Sequence, residues 1–315
     1  MTGRCRATLT GPLPRPEALV QATRDLDRGR IPPEAGAAAF AAAERQVRQL
    51  ETDLALDGRT GGLLRWADLL RPFTTGWTDV TAGPLTRFFE TNTFYRQPVL
   101  SAAPTAGEFR LADWVPRGEA ARAVLPGPYT FAALAQVGYR PAAGRSVVED
   151  VADALAGSLR SLGDARPAQV QFQEPMLVVR PPGSTAEPLL RAYRTLATAC
   201  EGSETAVWTY FADAGPVLPL LARLPVGGVG FDAFVTTVPP GVDWAGKSLG
   251  LGCLDPTTTI AEEPSEVLRI ARRAIDALRP TDVWVGPNPP FDLLPFEAAR
   301  AKAEHLPALR EALGR

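Results

Sequence analysis

The chain has 315 residues, 45% hydrophobic and 22% charged, with a formal charge of −2 at pH 7. That length allows one large domain or two ordinary ones, and a single α/β barrel can use all of it. The near-neutral balance, with no basic stripe, argues against a nucleic-acid-binding body; no apolar run approaches the ~20 residues of a membrane helix; and a single histidine, His305, excludes a multi-histidine metal site.

Residues 16–56 read as helical. PEALVQATRDLDRG ends at Gly29, and EAGAAAFAAAERQVRQLETDLAL follows the Pro32-Pro33 start signal. Further on, 146–163 places Val147, Val148, Val151, Leu155, Leu159 and Leu162 on one helical face. Residues 186–202 do the same with Leu189, Leu190, Tyr193, Leu196 and Cys200. The stretch SEVLRIARRAIDALRP predicts a helix capped by Ser265 and followed by Pro280, and 296–314 predicts one last helix. Between the helices lie eight short apolar or β-branched runs, at 6–12, 58–62, 122–128, 169–175, 205–213, 227–234, 248–255 and 282–289. Continuous apolar runs ending in loop residues are the mark of buried parallel strands. Alternating with helices, they predict a single (β/α)8 TIM barrel over 1–315. GRTGG (58–62) is the weakest strand, and VTTVPPGVDWAGK carries no convincing helix. The aromatic-rich segment at about 72–120, with Phe88, Phe89, Phe94, Tyr95 and Trp114, breaks the alternation. It reads as an inserted β-hairpin, and the helices before it as an N-terminal helical extension between the first two strands.

In such barrels the site lies where strands end and βα loops begin. The strand ends supply Thr10, Arg15, Thr60, Tyr129, Thr130, Gln173, Glu174, Thr209, Tyr210, Asp213, Asp232, Cys253, Asp255 and Asn288. Each also has a plainer reading. Glu174 before Pro175 fits a helix cap, Asp213 a turn, and Cys253 a small apolar filler. Glu174 and Asp232 are favoured as site residues, because a carboxylate directly after a buried strand needs a partner. GPLPRP (11–16) stiffens the first loop, so that Arg15 can clamp an anionic group, or else sits on an ordinary Pro-rich turn. The hairpin segment ETNTFYRQP (90–98) suits covering the barrel mouth and stacking on a flat ligand, or an oligomer contact. GLGC and GGVG open no helix and so fit no phosphate loop. Cys253 has no histidine beside it in the sequence, which counts against thiolate chemistry. Three dispersed cysteines make no disulfide framework, and MTGRCRATLTGP has no apolar core of a leader, so a reducing cytoplasm is the expected location.

The order of these motifs resembles cobalamin-independent methionine synthase. Thr8 to Arg15 matches that family's first turn, and Gly127-Pro128-Tyr129-Thr130 its third strand end. Gln171, Phe172, Gln173, Glu174 and Pro175 match the fourth, Val283 to Pro287 the last strand, and Lys302 has a counterpart in the C-terminal helix. The resemblance implies methyl transfer from a methylfolate to a homocysteine-like thiol, or binding of a methionine- or folate-like ligand at the barrel mouth. It further implies Glu174 and Asp232 as catalytic carboxylates orienting the substrate, with Arg15, Tyr129, Thr130, Gln173, Tyr210, Asp213, Cys253, Asp255 and Asn288 around it. The alternative is a non-catalytic ligand- or partner-binding barrel, related to the zinc-free N-terminal barrel of the two-barrel enzymes. A uroporphyrinogen-decarboxylase-like barrel is a more distant third reading. The family's zinc is held by an H-x-C pair, a glutamate and a cysteine. The alignment puts Thr209 and Phe211 at the first two places, Asp232 at the third and Pro289 near the fourth. Three of four ligands are therefore replaced, and no zinc or other cofactor is expected. The expected partner is a small molecule, not nucleic acid or membrane, with a homo-oligomer or a protein partner left open.

Overall fold

The computed structural model describes residues 3–183, 186–244 and 246–314. The chain begins with β1 (Cys5–Ala7) and continues through α1 (Glu17–Asp27), α2 (Pro33–Asp53) and the short α3 (Arg71–Gly76). The hairpin β2 (Thr78–Arg87) and β3 (Phe94–Thr105) follows. Next come β4 (Arg122–Pro126), α4 (Pro128–Leu134), the two-residue β5 (Gln136–Val137) and α5 (Val147–Arg160). The central part holds β6 (Gln169–Gln173), α6 (Met176–Val179), α7 (Glu187–Ala199), β7 (Glu204–Trp208), α8 (Leu218–Arg223) and β8 (Gly228–Asp232). The chain ends with β9 (Ser248–Leu254), α9 (Pro264–Leu278), β10 (Val283–Pro287), α10 (Phe296–Ala303) and α11 (Leu306–Leu313).

Seven strands form one sheet in the order β1-β10-β9-β8-β7-β6-β4, and every pairing in it is parallel. The strand period of two sets the two faces. In β6, Val170 and Phe172 face outward, where Phe172 meets Tyr193 of α7 edge-on at 5.8 Å. Gln169, Gln171 and Gln173 take the inner face. There Gln169 and Gln171 accept bonds from the buried Arg122 guanidinium at 2.6 and 2.7 Å. That guanidinium lies 4.0 Å over the Trp284 ring, and Arg6 lies over the same ring at 4.0 Å, so this end of the sheet's interior is filled. Gly230 and Gly250 make room for Trp208, whose ring atoms lie 2.4 and 2.3 Å from where their Cβ atoms would stand.

The expected second strand is the principal correction. Segment 58–62 is not a strand: Gly58 bridges Thr8 and Arg59 bridges Ala121, one residue pair on each side. Because adjacent residues reach both edges, the sheet is curled, but it is a seven-stranded sheet and not a closed ladder of eight. The cause is local. Thr60 and Gly61 turn their amides onto the buried Glu51 carboxylate at 2.8 and 3.0 Å, and Gly61 and Gly62 take φ of +66° and +70°. Extended chain cannot continue through that turn. Two helix boundaries are also corrected. Glu263, not Ser265, precedes α9, with Pro264 in its first turn. The last helix is two, broken between Ala303 and Leu306, because Pro307 has no amide to continue the ladder and starts α11 instead.

The inserted hairpin is present, antiparallel, with β5 added parallel to β3. Tyr95 and Leu100 of β3 are buried, and the Trp77 indole donates to Ser158 Oγ of α5 at 2.9 Å. The hairpin is thereby fastened to the body, with its tip lying toward the strand ends. Among the described residues, no helix is long and apolar enough to cross a membrane.

Candidate functional site

A cavity of about 400 Å³ opens at the C-terminal ends of the strands. One wall is the loop after β1, Pro12 to Arg15, and another is Leu63, Leu64 and Trp66 to Leu69. The hairpin tip supplies Phe88, Thr93 and Phe94. The loop after β7 adds Tyr210 and Phe211, and the loop after β10 adds Pro289, Pro290, Asp292 and Leu293. Gln173, at the end of β6, completes it. That size is within the range of small-molecule sites.

Arg15 is held by its rigid loop. Its Nε donates to Leu64 O at 3.0 Å, and its guanidinium lies 5.3 Å from the Phe40 ring. Among the described residues no carboxylate lies within 4.0 Å of it, and burial lowers its pKa. Gln173 is wholly buried. Its Nε2 donates to Thr10 O, as does Gln171 Nε2 at 2.7 Å, which fixes the amide's orientation and leaves Gln173 Oε1 without a partner. Phe211 has a φ of +79°, a costly conformation for a bulky residue, and packs on Phe89 at 4.9 Å and Tyr210 at 4.7 Å. Asp68 accepts from Leu70 N, Arg71 Nη2 and Arg96 N, while burial pushes its pKa up. Burial pushes the Asp292 carboxyl up to about 7, against the pull of its own backbone amide.

Of the residues expected from the sequence, Arg15, Gln173 and Tyr210 line the cavity. Asn288, next in the chain to the lining Pro289, is buried, with Nδ2 donating to Thr209 O at 3.0 Å and Oδ1 unpaired. The others do not line it. Glu174 is fully buried under α4, where Oε1 accepts the Tyr129 amide at 3.0 Å and the Tyr193 hydroxyl at 3.0 Å, and Oε2 the Thr130 amide at 2.7 Å. Burial lifts it to about 7 even so. It caps a helix, as its plainer reading had it, but the helix is α4, before it in the chain. Tyr129 donates its hydroxyl to Arg180 O, and Thr130 Oγ1 accepts from Met176 N.

Asp232 accepts the Phe234 amide at 2.9 Å and is pushed to about 6 by burial, with the Asp255 charge adding to the rise. Asp255 accepts from Thr257 N and Oγ1, and Asp213 from Gly215 N and Thr237 N, both as turn residues. Cys253 is buried, and burial pushes its thiol far above the ordinary range. Sequence reasoning missed Trp66, Asp68 and Asp292. Only the place of Asp292, just past the last strand end, offered a signal.

The donors at the zinc-ligand places do not fit zinc. Thr209 Oγ1 donates to Gly230 O at 3.2 Å, Phe211 and Pro289 have no donor atom to give, and Asp232 is engaged with a backbone amide. Among the described residues, no three His, Cys, Asp or Glu side chains stand together in a way that could hold a metal ion.

Residues 66–253 match the family described as cobalamin-independent synthase, N-terminal domain. A 5-methyltetrahydropteroyltriglutamate–homocysteine methyltransferase of Nitratidesulfovibrio vulgaris is 29% identical over 242 residues, covering 68% of this chain and 30% of that protein. The protein so named in Mycobacterium tuberculosis is 31% identical over 180 residues, 54% of this chain and 24% of that one. The chain thus spans less than a third of these relatives' length. Among solved structures, a B12-independent methionine synthase from Shewanella sp. W3-18-1, in complex with selenomethionine, has a TM-score of 0.75 at 17% identity over 98% of this chain and 97% of that one. A putative vitamin-B12-independent methionine synthase from Listeria monocytogenes has a TM-score of 0.73 at 14% identity, over 99% of each chain. At such identities the likeness is one of fold.

Proposed function

This chain belongs to the cobalamin-independent methionine synthase family, and on that premise we propose that its strand-end cavity binds a ligand of the methionine, homocysteine or folate type, with the ligand's carboxylate on Arg15. Binding serves methyl transfer to a homocysteine-like thiol in this reading. The sheet acts as a barrel, closed through the Gly58 and Arg59 bridges, in one domain in the cytoplasm.

The observation that carries the reading is the Arg15 guanidinium. It is partly desolvated, has no carboxylate within 4.0 Å among the described residues, and faces a cavity walled by Trp66, Phe88, Phe94, Tyr210 and Phe211. A partly desolvated guanidinium on which Asp27 acts only from beyond 4.0 Å gains from an incoming carboxylate, and the aromatic wall suits an apolar or flat body. Methyl transfer rests on the family alone. Without zinc, a thiol of pKa about 8.5 stays mostly protonated at neutral pH, and neither Glu174 nor Asp232 lines the cavity to take its proton.

The test is calorimetric titration of homocysteine, methionine and 5-methyltetrahydrofolate, beside a methyl-transfer assay. Binding of at least one, with turnover of homocysteine, is expected. Binding without turnover would remove methyl transfer and keep the ligand site, and failure of folded protein to bind any of the three would remove both.

A further inference from the structure

A second cavity lies at the N-terminal ends of the strands, opposite the mouth. The stack of Arg6, Trp284 and Arg122 occupies one side of the interior there. On the other side one register row across β7, β8 and β9 reads Ala206, Gly228 and Ser248. These stand two residues before Trp208, Gly230 and Gly250, and so share their inner face. Their small side chains leave a space of about 110 Å³ beside the stack, with Arg122 on its wall. A water needs only ~10–15 Å³ by that measure, so the space admits a small ion together with waters.

Arg122 is 3% exposed. Its Nε is committed to Gln169 Oε1 and its Nη1 to Gln171 Oε1. Nη2 has no acceptor among the described residues, yet it is not sealed in the packing, and so opens on the cavity. The Ser248 hydroxyl on the same wall makes one long bond, to Gly227 O at 3.3 Å.

The charges around this end are uneven. Arg4, Arg6, Arg122 and Arg310 stand against Asp57, Glu204 and Asp282. Asp57 pairs with Arg4 and Arg310, while Glu204 and Asp282 both pair with Arg6. Each carboxylate is thus engaged by another arginine, including the two that also reach the cavity wall. Arg122, the most buried of the four, has no carboxylate within 4.0 Å among the described residues. Glu204 acts on it from farther off, Arg6 opposes that pull, and burial lowers the guanidinium to about 9. A buried charge without its counter-ion is costly. One surplus positive charge calls for a monoanion. Because two of the three guanidinium nitrogens are taken, the two-pronged grip that arginine gives an oxyanion is not on offer. One N–H corner and one hydroxyl suit a spherical ion.

We infer that this cavity is a binding site for a halide-sized monoanion, chloride, held by Arg122 Nη2 and the Ser248 hydroxyl. The ion is a structural ligand, since the N-terminal face of barrel-like folds serves stability rather than chemistry. The site is separate from the strand-end cavity and independent of the function proposed for it.

The experiment is thermal denaturation of the intact chain, dialysed into sodium gluconate and titrated with sodium chloride or bromide at constant ionic strength. The titration stays in the millimolar range, below the concentrations at which salts act by exclusion from the protein surface. Either halide is expected to raise Tm saturably by about 2 °C or more. Ser248→Ala should need about tenfold more halide for the same half-effect, as loss of one hydrogen bond to a charged group requires. Arg122→Met should lose the effect. That variant also leaves Gln169 and Gln171 without their donor and can fail to fold, so the position of the ion is read on the unaltered chain. Diffraction at the bromine absorption edge, from crystals grown with bromide, should show an anomalous peak in contact with Arg122 Nη2. The inference is overturned if halide and gluconate give the same Tm at equal ionic strength. It is equally overturned if bromide lies only at surface positions away from Arg122, which would make it an adventitious ion only.

Discussion

Glu174 Oε2 takes the Thr130 amide at 2.7 Å, and so ties the end of β6 to the first turn of α4. The other oxygen takes the Tyr129 amide and the Tyr193 hydroxyl. Gly127 allows this approach: a Cβ there would stand 2.1 Å from Glu174 Cδ. Glu174→Ala would leave two buried amides and a buried hydroxyl without an acceptor. The expected loss is about 3–5 kcal/mol of stability, read from denaturant midpoints. Gly127→Ala should also destabilise, by displacing the carboxylate. A catalytic Glu174 would instead show lost turnover at unchanged stability, so equal midpoints for Glu174→Ala and the unaltered chain would contradict the capping role.

The pH dependence of binding follows from Asp292, pushed up to about 7 by burial. The other titratable groups facing it in the cavity are Asp68, Arg15 and Tyr210. An N–H donor binds the carboxylate better than the neutral acid. Affinity for a ligand that sets an N–H donor against Asp292 should therefore rise from pH 6 to pH 8, and Asp292→Asn should flatten the profile. A flat profile in the unaltered chain would count against Asp292 as the contact.

The same carboxyl shapes stability. Its folded pKa is raised above the ordinary 3.8, so its contribution is fully present below about pH 4 and is lost as pH rises through about 7. Asp292→Asn removes that loss. Thermal melts at pH 5 and pH 8 should differ less for the variant than for the unaltered chain. An equal or larger difference in the variant would show the sign to be wrong.

The cysteines are expected to be inert. Burial raises Cys5 to about 11, Cys200 to about 12 and Cys253 further still. Titration of folded protein at neutral pH with a thiol reagent should label slowly, and all three should react after denaturation. Rapid native labelling of Cys253 would restore a nucleophile to the strand ends.

Most of the sheet was legible because burial on both faces writes continuous apolar runs. β4, β8, β9 and β10 were predicted closely at both ends by that pattern, and β7 at its start, its run having been drawn on past Trp208. β6 was found as well, although its inner face is three glutamines, because Val170 and Phe172 mark the outer face. The reduced strand at 58–59 was not legible as a pair of bridges, since it depends on Glu51, a helical residue, drawing the chain into a turn. The cavity was half legible. Arg15, Gln173 and Tyr210 follow from strand ends, and the covering role of the hairpin from its aromatics. Asp292 was missed because the cavity it lines is assembled from chain segments remote in sequence, the loop at 12–15, the segment 66–69 and the hairpin tip. Asp213 and Asp255 each accept a local amide two residues on, a turn contact that a strand-end position does not reveal by itself.

The central claim is that this cavity holds its ligand through Arg15. The most direct measurement is calorimetric titration of homocysteine, methionine and 5-methyltetrahydrofolate into the unaltered chain and Arg15→Met, with melting temperatures of both. Arg15 is in no ion pair within 4.0 Å among the described residues, so its replacement should leave the melting temperature within a few degrees. The account predicts binding of at least one ligand by the unaltered chain, weakened at least about tenfold in Arg15→Met, as loss of a charge-assisted contact to a carboxylate requires. Equal affinities in the two proteins, or no binding by folded unaltered protein, would contradict it.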